Sequence, residues 1–321
     1  MASEVNLHQH EEFRDALVAA ADHHALDPRF VEKDYYVTEV LRIVADTLPG
    51  RTIFKGGTSL SKGWRLVDRF SEDIDLFVDR DRWEPPLGNR PLDRVLKELR
   101  DAVAGHPAFT RLPDESKTFS GSGREDQFAY DSLFDELPGL RSAILLEPGV
   151  QSGKQPTEDV AISSLVADFL RGRGDADLAD DLDPFEMTLL HFRRTFVEKL
   201  FTVHSKVERL NQEEEPLGRD ARHYADLHVL AGRPEVEAML RTGEYEEIKA
   251  DYEQRSLEHF PNSYRPPPGL SFAASEALFP SRDLRDRIEP DYEAECTRLF
   301  PGVYPSFDEV LGRLEGLRDL L

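Results

Sequence analysis

The sequence predicts an α+β fold, in which an N-terminal domain with a small mixed sheet and helices is followed by a mainly helical C-terminal domain. Short apolar runs alternate with glycine turns and helical patterns in the first half of the chain, whereas helical spacing dominates the second half. The 321 residues, 39% of them hydrophobic, suffice for two such domains. We expect domains at 1–174 and 175–321, because the Gly- and Asp-rich stretch 171–183 is typical of a linker.

The N-terminal elements follow from local patterns. Residues 11–26 and 30–48 carry apolar side chains at helical spacing and predict two helices. The run 52–54 predicts a strand, and the glycine turn after it leads into the amphipathic stretch 60–69, which predicts a helix. A second strand is expected at 73–78. Together these segments predict a compact α/β unit.

The later elements are predicted in the same way. Residues 91–107 predict a helix, and 111–147 contain short β-like runs, of which Ala143 to Glu147 is the clearest. Large apolar residues recur along one face of 185–210 and of 219–240. These two stretches predict the helices of the C-terminal domain.

Charge and cysteine content restrict the class of protein. The chain has 63 acidic and 40 basic residues and a net charge of −23, which disfavours general nucleic-acid binding and makes DNA an unexpected partner. The single cysteine, Cys296, excludes an internal disulfide and a Cys-rich zinc site. We find neither a signal-peptide pattern nor about 18 consecutive apolar residues, so we expect a cytoplasmic protein without membrane contact.

The turn K-G-G-T-S after the first strand predicts an anion site. Glycines let the backbone approach a ligand closely, and the first N–H groups of a following helix favour negative charge. Hydroxyl and ammonium donors add to this, which suits a triphosphate. The candidate phosphate-binding residues are Lys55, Gly56, Gly57, Thr58, Ser59 and Lys62. The alternative is a turn that only caps a helix.

Two acidic residues on the next strand predict a metal site. Asp73 and Asp75 are two positions apart, so both side chains point to one face, with Cα atoms roughly 6.5 Å apart. Such carboxylates repel unless a cation neutralises them, and their hard oxygens select Mg²⁺ or Mn²⁺. The alternative is a solvated pair at a strand end. Glu147 is a candidate third carboxylate, or else an ordinary strand-end residue.

A glycine turn beside an acidic pair is the combination that nucleotidyl transfer from a triphosphate needs. At this point the sequence resembles the AbiEii/AbiGii toxin family, through KGGTSLSKGW at 55–64 and RFSEDIDL at 69–76. VEKDYYVTEVL at 31–41, RTFVEKLFTVH at 194–204 and RHYADLHVL at 222–230 resemble further family segments in the same order. The resemblance implies the nucleotidyltransferase fold of the DNA polymerase β superfamily and a toxin of a toxin–antitoxin or phage-defence system.

The resemblance also implies roles for individual residues. It implies that Gly57 and Thr58 or Ser59 contact phosphate, that Asp73 and Asp75 hold metal, that Lys199 binds the triphosphate, and that Asp226 is a further catalytic or orienting acid. The alternatives are a solvated helix charge for Lys199 and an i, i+4 ion pair of Asp226 with Arg222. Ser71 is either a cap or a site whose phosphorylation would repel the triphosphate.

The function implied is Mg²⁺-dependent transfer of a nucleotide from an NTP to RNA, most simply to the 3′ end of tRNA, which blocks translation. The basic residues expected to hold NTP and RNA are Arg51, Lys55, Lys62, Arg65 and Arg69, and also Arg193, Arg194, Lys199, Lys206 and Arg209. A cognate antitoxin is the expected protein partner. The alternatives are nucleotidylation of a protein hydroxyl and a non-catalytic module that binds a nucleotide or partner.

Overall fold

The computed structural model describes residues 5–71, 73–119, 121–135 and 140–321. The chain divides into two units, which comprise residues 1–64, 70–150 and 157–189 in one case and residues 65–69, 151–156 and 190–321 in the other. We call them the sheet unit and the helical unit. The predicted mixture of α and β structure is confirmed.

The sheet unit contains a seven-stranded mixed sheet. Its strands are β1 Thr52–Lys55, β2 Asp73–Val78, β3 Thr110–Phe119, β4 Gly123–Ala129, β5 Ala143–Gly149, β6 Thr157–Ile162 and β7 Phe185–Leu190, and their spatial order is β3-β4-β5-β2-β1-β7-β6. Strand β2 lies between β1, to which it is antiparallel, and β5, to which it is parallel. The strands predicted at 52–54 and 73–78 are therefore central in the sheet.

Alternation of side chains explains how β2 presents its acidic residues. Ile74 and Leu76 are fully buried on one face of the strand, and Asp73 and Asp75 occupy the other face. Burial of the two apolar side chains stabilises the strand by roughly 1.5–3 kcal/mol each. A shift of register by one residue would exchange the two sets, so this core also fixes where the carboxylates point.

The helices of the sheet unit are α1 Phe13–His24, α2 Pro28–Thr47, the single turn α3 Gly56–Thr58, α4 Asn89–Gly105 and α5 Leu165–Arg173. Asp27 caps α2 by accepting a hydrogen bond from the Arg29 N–H, and Pro28 occupies the first helical position. Val40 of α2 is fully buried in the same apolar core as Phe54 of β1. Helix α2 and the central strand β1 thus contribute to one apolar core.

The helical unit contains α6 Phe192–Glu213, α7 His223–Ala231, α8 Pro234–Leu240, α9 Gly243–His259, α10 Arg282–Leu299 and α11 Phe307–Glu315. Helix α7 packs against α6 and α11. Tyr224 of α7 meets Phe307 of α11 edge to face, with ring centroids 5.1 Å apart. Over the described ranges of the chain, none of the helices combines the length and apolarity needed to cross a membrane.

The helix expected at 60–69 is shorter than predicted. Helical structure continues from α3 as a single π turn, Ser59–Gly63, and then ends. Two local features explain this. A side chain at Gly63 would lie 2.1 Å from Leu189 of β7, so the turn packs tightly on the sheet, and Arg65 then adopts a positive φ of 51°, which a helix does not allow.

The first residues of the helix expected at 185–210 form strand β7 instead. Phe54 of β1 pairs with Leu189, and the buried Met187 and Leu189 alternate along β7 as a strand requires. This pairing keeps residues up to 189 in the sheet unit, so the division of the chain differs from the boundary expected after residue 174. The Gly- and Asp-rich stretch 171–183 lies within the sheet unit.

Candidate active site

The glycine turn is pressed against one of the acidic residues of β2. Gly56, the first residue after β1, has a φ of +74°, and a Cβ atom built on it would lie 2.0 Å from Oδ2 of Asp75. Both the backbone angle and the space therefore exclude a side chain at this position. The turn and the carboxylate share one small volume.

The hydroxyl groups of the turn brace it from inside. Thr58 donates a hydrogen bond to the carbonyl of Asp73 at 2.5 Å, and Ser59 donates to the carbonyl of Gly56 at 2.9 Å. Both side chains are buried. The Thr58 bond ties the turn to the first residue of β2. Contact of these residues and of Gly57 with phosphate stays a prediction.

The candidate third carboxylate lies beside the pair. Strand register places Lys55 of β1 opposite Asp75, and Asp75 opposite Glu147 of β5, so the three residues form one row across the sheet. Lys55 Nζ is 3.6 Å from Oδ1 of Asp75. Burial, followed by the charges of Asp75 and Asp73, raises the pKa of Glu147 to about 7. The structure thus brings together Asp73, Asp75 and Glu147.

The carboxylates of Asp73, Asp75 and Glu147 suit a divalent cation that binds together with a substrate. In the described part of the chain, no group of three or more His, Cys, Asp or Glu side chains is arranged to coordinate a metal ion without further ligands. Magnesium is commonly held by one or two carboxylates together with substrate phosphates, and the crowded carboxylates here supply oxygen ligands of that kind. Asp73 and Asp75 would hold such an ion, with Glu147 at their side. Ser71 lies outside the helices and strands, two positions before Asp73, and its predicted regulatory role stays a prediction.

Lys62 has a different environment from Lys55. Its ammonium group is 2.6 Å from Oδ1 of Asp34 on α2, and its side chain is buried. The other oxygen of Asp34 accepts a hydrogen bond from the backbone N–H of Leu165 at 2.7 Å, at the start of α5. Lys62 therefore connects the turn to two helices of the sheet unit. Its contact with phosphate stays a prediction.

The two candidate residues of the helical unit lie together. Lys199 of α6 and Asp226 of α7 form an ion pair, with Nζ and Oδ2 2.7 Å apart, and both side chains are buried. Asp226 also accepts two hydrogen bonds from Arg69, each 2.7 Å long. Burial lowers the pKa of Lys199, and the Arg69 charge acts in the same direction, whereas Asp226 opposes them.

Arg69 is the partner that sequence reasoning missed. The sequence offered Arg222 as the partner of Asp226, because the two are one helical turn apart, but the bidentate partner is 157 positions away in the chain. A local spacing rule cannot find such a pair. The sequence contained one signal for a role of Arg69, because this residue is the first of the R-F-S-E-D-I-D-L segment that resembles the family.

The predicted basic stretches are largely occupied by internal ion pairs. Lys62, Arg69, Arg194 and Lys199 are buried. Arg194, for example, pairs with Glu198 at 2.9 Å and with Asp251 at 2.5 Å. Four of the ten basic residues expected to hold NTP and RNA are therefore parts of the interior rather than an open surface.

A central sheet that carries a row of carboxylates beside a glycine turn is the arrangement that a nucleotidyl transferase needs. The profile of the family described as nucleotidyl transferase AbiEii toxin, type IV TA system, matches residues 40–313. The chain therefore belongs to the AbiEii nucleotidyl transferase toxin family of type IV toxin–antitoxin systems. The match extends well beyond residue 235, where the motifs recognised in the sequence end. A search of curated proteins found no match to this chain.

Proposed function

We propose that this toxin transfers a nucleotide from an NTP, with Mg²⁺ or Mn²⁺, to the 3′ end of an RNA, most simply a tRNA. Loss of a free tRNA 3′ end would stop aminoacylation and hence translation. A cytoplasmic location and neutralisation by a cognate antitoxin accompany this proposal, since both substrates are found in the cytoplasm.

The observation that carries the proposal is the position of Asp75. This carboxylate lies between Lys55 and Glu147 in the sheet and against Gly56 of the turn. A bound divalent ion would stabilise charge on the phosphates and on an attacking hydroxyl. The chain itself orients Asp73 through the Thr58 hydroxyl and keeps the turn clear of side chains at Gly56.

The family resemblance supports a role in phosphate binding for Lys199. Lys199 and Arg69 both form ion pairs with Asp226, so the three side chains make one buried cluster. A triphosphate is anionic, and Lys199 is the cation that the family resemblance assigns to it.

A protein hydroxyl is the second candidate acceptor. RNA binding relies on exposed cations, and four of the predicted ones are buried in a chain whose net charge is −23. A Ser, Thr or Tyr acceptor requires the same carboxylates and no such surface. The acceptor is therefore the part of the proposal that most needs measurement.

The test is incubation of the purified protein with each α-³²P NTP, Mg²⁺, total RNA and a protein extract. We expect label in a tRNA-sized band that disappears in Asp75→Asn. The matched control is Asp93→Asn, which removes a carboxylate from an exposed pair with Lys97 on α4. Label in protein alone would replace the RNA acceptor by a protein hydroxyl. No label with any NTP would refute the transferase proposal and favour a binding module.

A further inference from the structure

Arg69 and Asp226 form a two-pronged ion pair inside the helical unit. Nε of Arg69 donates to Oδ1 and Nη2 donates to Oδ2, both at 2.7 Å. The two side chains are 1% and 0% exposed. Bidentate pairs of this kind are stronger than single contacts and fix orientation as well as distance. The pair therefore holds Arg69 in one position relative to α7.

Asp226 is poorly suited to exchange a proton during a reaction. Burial raises its pKa, but the charges of Arg69 and Lys199 outweigh this effect and hold the pKa well below its usual range. Efficient acids and bases have a pKa near the working pH. Both oxygens are also engaged, since Lys199 Nζ is 2.7 Å from Oδ2. The carboxylate of Asp226 is suited to holding two cations in place.

The segment that Arg69 anchors leads directly into the acidic pair. Residues 65–69 belong to the helical unit, although the residues before and after them belong to the sheet unit. Asp73 follows four positions after Arg69, and its carbonyl is held by the Thr58 hydroxyl. Four residues span at most about 14 Å, so the chain allows no larger separation between Arg69 and Asp73.

We infer that Arg69 is a positioning residue, because the Arg69–Asp226 ion pair clamps residues 65–69 to α7, and this segment ends four positions before Asp73. The sequence left a catalytic and an orienting role open for Asp226, and the clamp assigns the orienting one. The effect on catalysis rests on the proposed transferase function. The clamp itself is a property of the fold.

Hydrogen exchange measured by mass spectrometry tests the clamp without any activity. We expect amides in a peptide covering residues 65–71 to exchange at least about tenfold faster in both Arg69→Met and Asp226→Asn, because each variant removes one half of the clamp. Arg69→Lys keeps the charge and should fold if Arg69→Met does not; it loses the bidentate geometry and is expected to show an intermediate increase.

A buried cation elsewhere in the helical unit provides the matched control. Lys249 of α9 donates to the Leu270 carbonyl at 3.0 Å and pairs with Glu246, so Lys249→Met should leave exchange in residues 65–71 unchanged. Unchanged exchange of this peptide in folded Arg69→Lys and Asp226→Asn would overturn the clamp. If Lys249→Met accelerates exchange in residues 65–71 as much as the Arg69 and Asp226 variants do, the clamp is overturned too, because the faster exchange would then reflect a general destabilisation of the helical unit.

Nucleotide transfer then tests the consequence for catalysis. We expect Arg69→Met and Asp226→Asn to lower kcat by similar factors with little change in the KM for NTP, and the double variant to be no slower than the slower single variant. If Asp226→Asn transfers the nucleotide slowly while Arg69→Met transfers it at the wild-type rate, Asp226 acts directly in the reaction. That result would overturn the inference. If the wild-type protein transfers no label, the transferase proposal fails, while exchange still decides the clamp.

Discussion

Replacement of Gly56 by alanine tests whether the turn must touch Asp75. At a φ of +74° an L-residue costs about 1–2 kcal/mol. The new Cβ would also lie 2.0 Å from Oδ2 of Asp75, and ordinary contact begins at 3.4 Å, so the carboxylate must move by about 1.4 Å. A displacement of that size at a reacting centre costs roughly a hundredfold in rate.

Gly50 offers a matched control for the backbone strain. It also has a positive φ, +65°, but a Cβ atom there would meet nothing within 4 Å. Gly50→Ala should therefore lose about 1–2 kcal/mol of unfolding free energy in urea and keep its rate of label transfer. Gly56→Ala should lose about 1–3 kcal/mol more and transfer label about a hundredfold more slowly. Equal transfer rates for the two variants would refute the argument that this contact shapes the site.

Three further predictions concern the elements around the site. Lys62→Met leaves Asp34, whose side chain is 13% exposed, without this cation and should lower the unfolding free energy in urea by about 3 kcal/mol, whereas Lys97→Met on the exposed pair with Asp93 should change it by less than about 0.5 kcal/mol; equal losses would contradict this difference. Thr58→Val removes the hydrogen bond to the Asp73 carbonyl and should cost about 1–3 kcal/mol, while Thr58→Ser should retain most of the stability; a Ser variant as unstable as Val would show that the methyl group matters instead. Burial, reinforced by the charge of Asp181, raises the pKa of Glu39 to about 7 from an ordinary 4.5, so the unfolded state loses its proton first as pH rises. The contribution of Glu39 to the free energy of unfolding should then fall by about 3 kcal/mol across this window, and the difference between wild type and Glu39→Gln should change by that amount; a difference that does not vary from pH 4.5 to 7.5 would contradict the assignment.

The central strands and the acidic pair could be predicted from sequence because their signals are local. Ile74 and Leu76 alternate with Asp73 and Asp75, so one pattern reports both the strand and the face that carries the carboxylates. Glu147 was identified by the apolar run before it, although its place opposite Asp75 depends on a parallel pairing that no local pattern encodes.

Strand β7 and the partner of Asp226 could not be predicted for a related reason. Phe185 and Leu189 are four positions apart, which fits a helix as well as a strand, and the pairing of Leu189 with Phe54 of β1 decides between them. The residues next to Arg69 and Asp226 in the sequence form no pattern that predicts an ion pair between the two. Tertiary contacts over more than a hundred positions settle both cases, and the spacing rules describe neighbours within one or two helical turns.

The division of the chain into interleaved segments affects how its parts can be exchanged or produced. The chain passes between the two units at residues 64/65, 69/70, 150/151, 156/157 and 189/190. A fragment starting at Leu190 would contain Asp226 without Arg69, and Arg194 without the Gln155 carbonyl to which it donates at 3.0 Å. Recombination at 189/190 would therefore separate contacts of the helical unit, so related toxins are expected to exchange residues 65–321 as a whole.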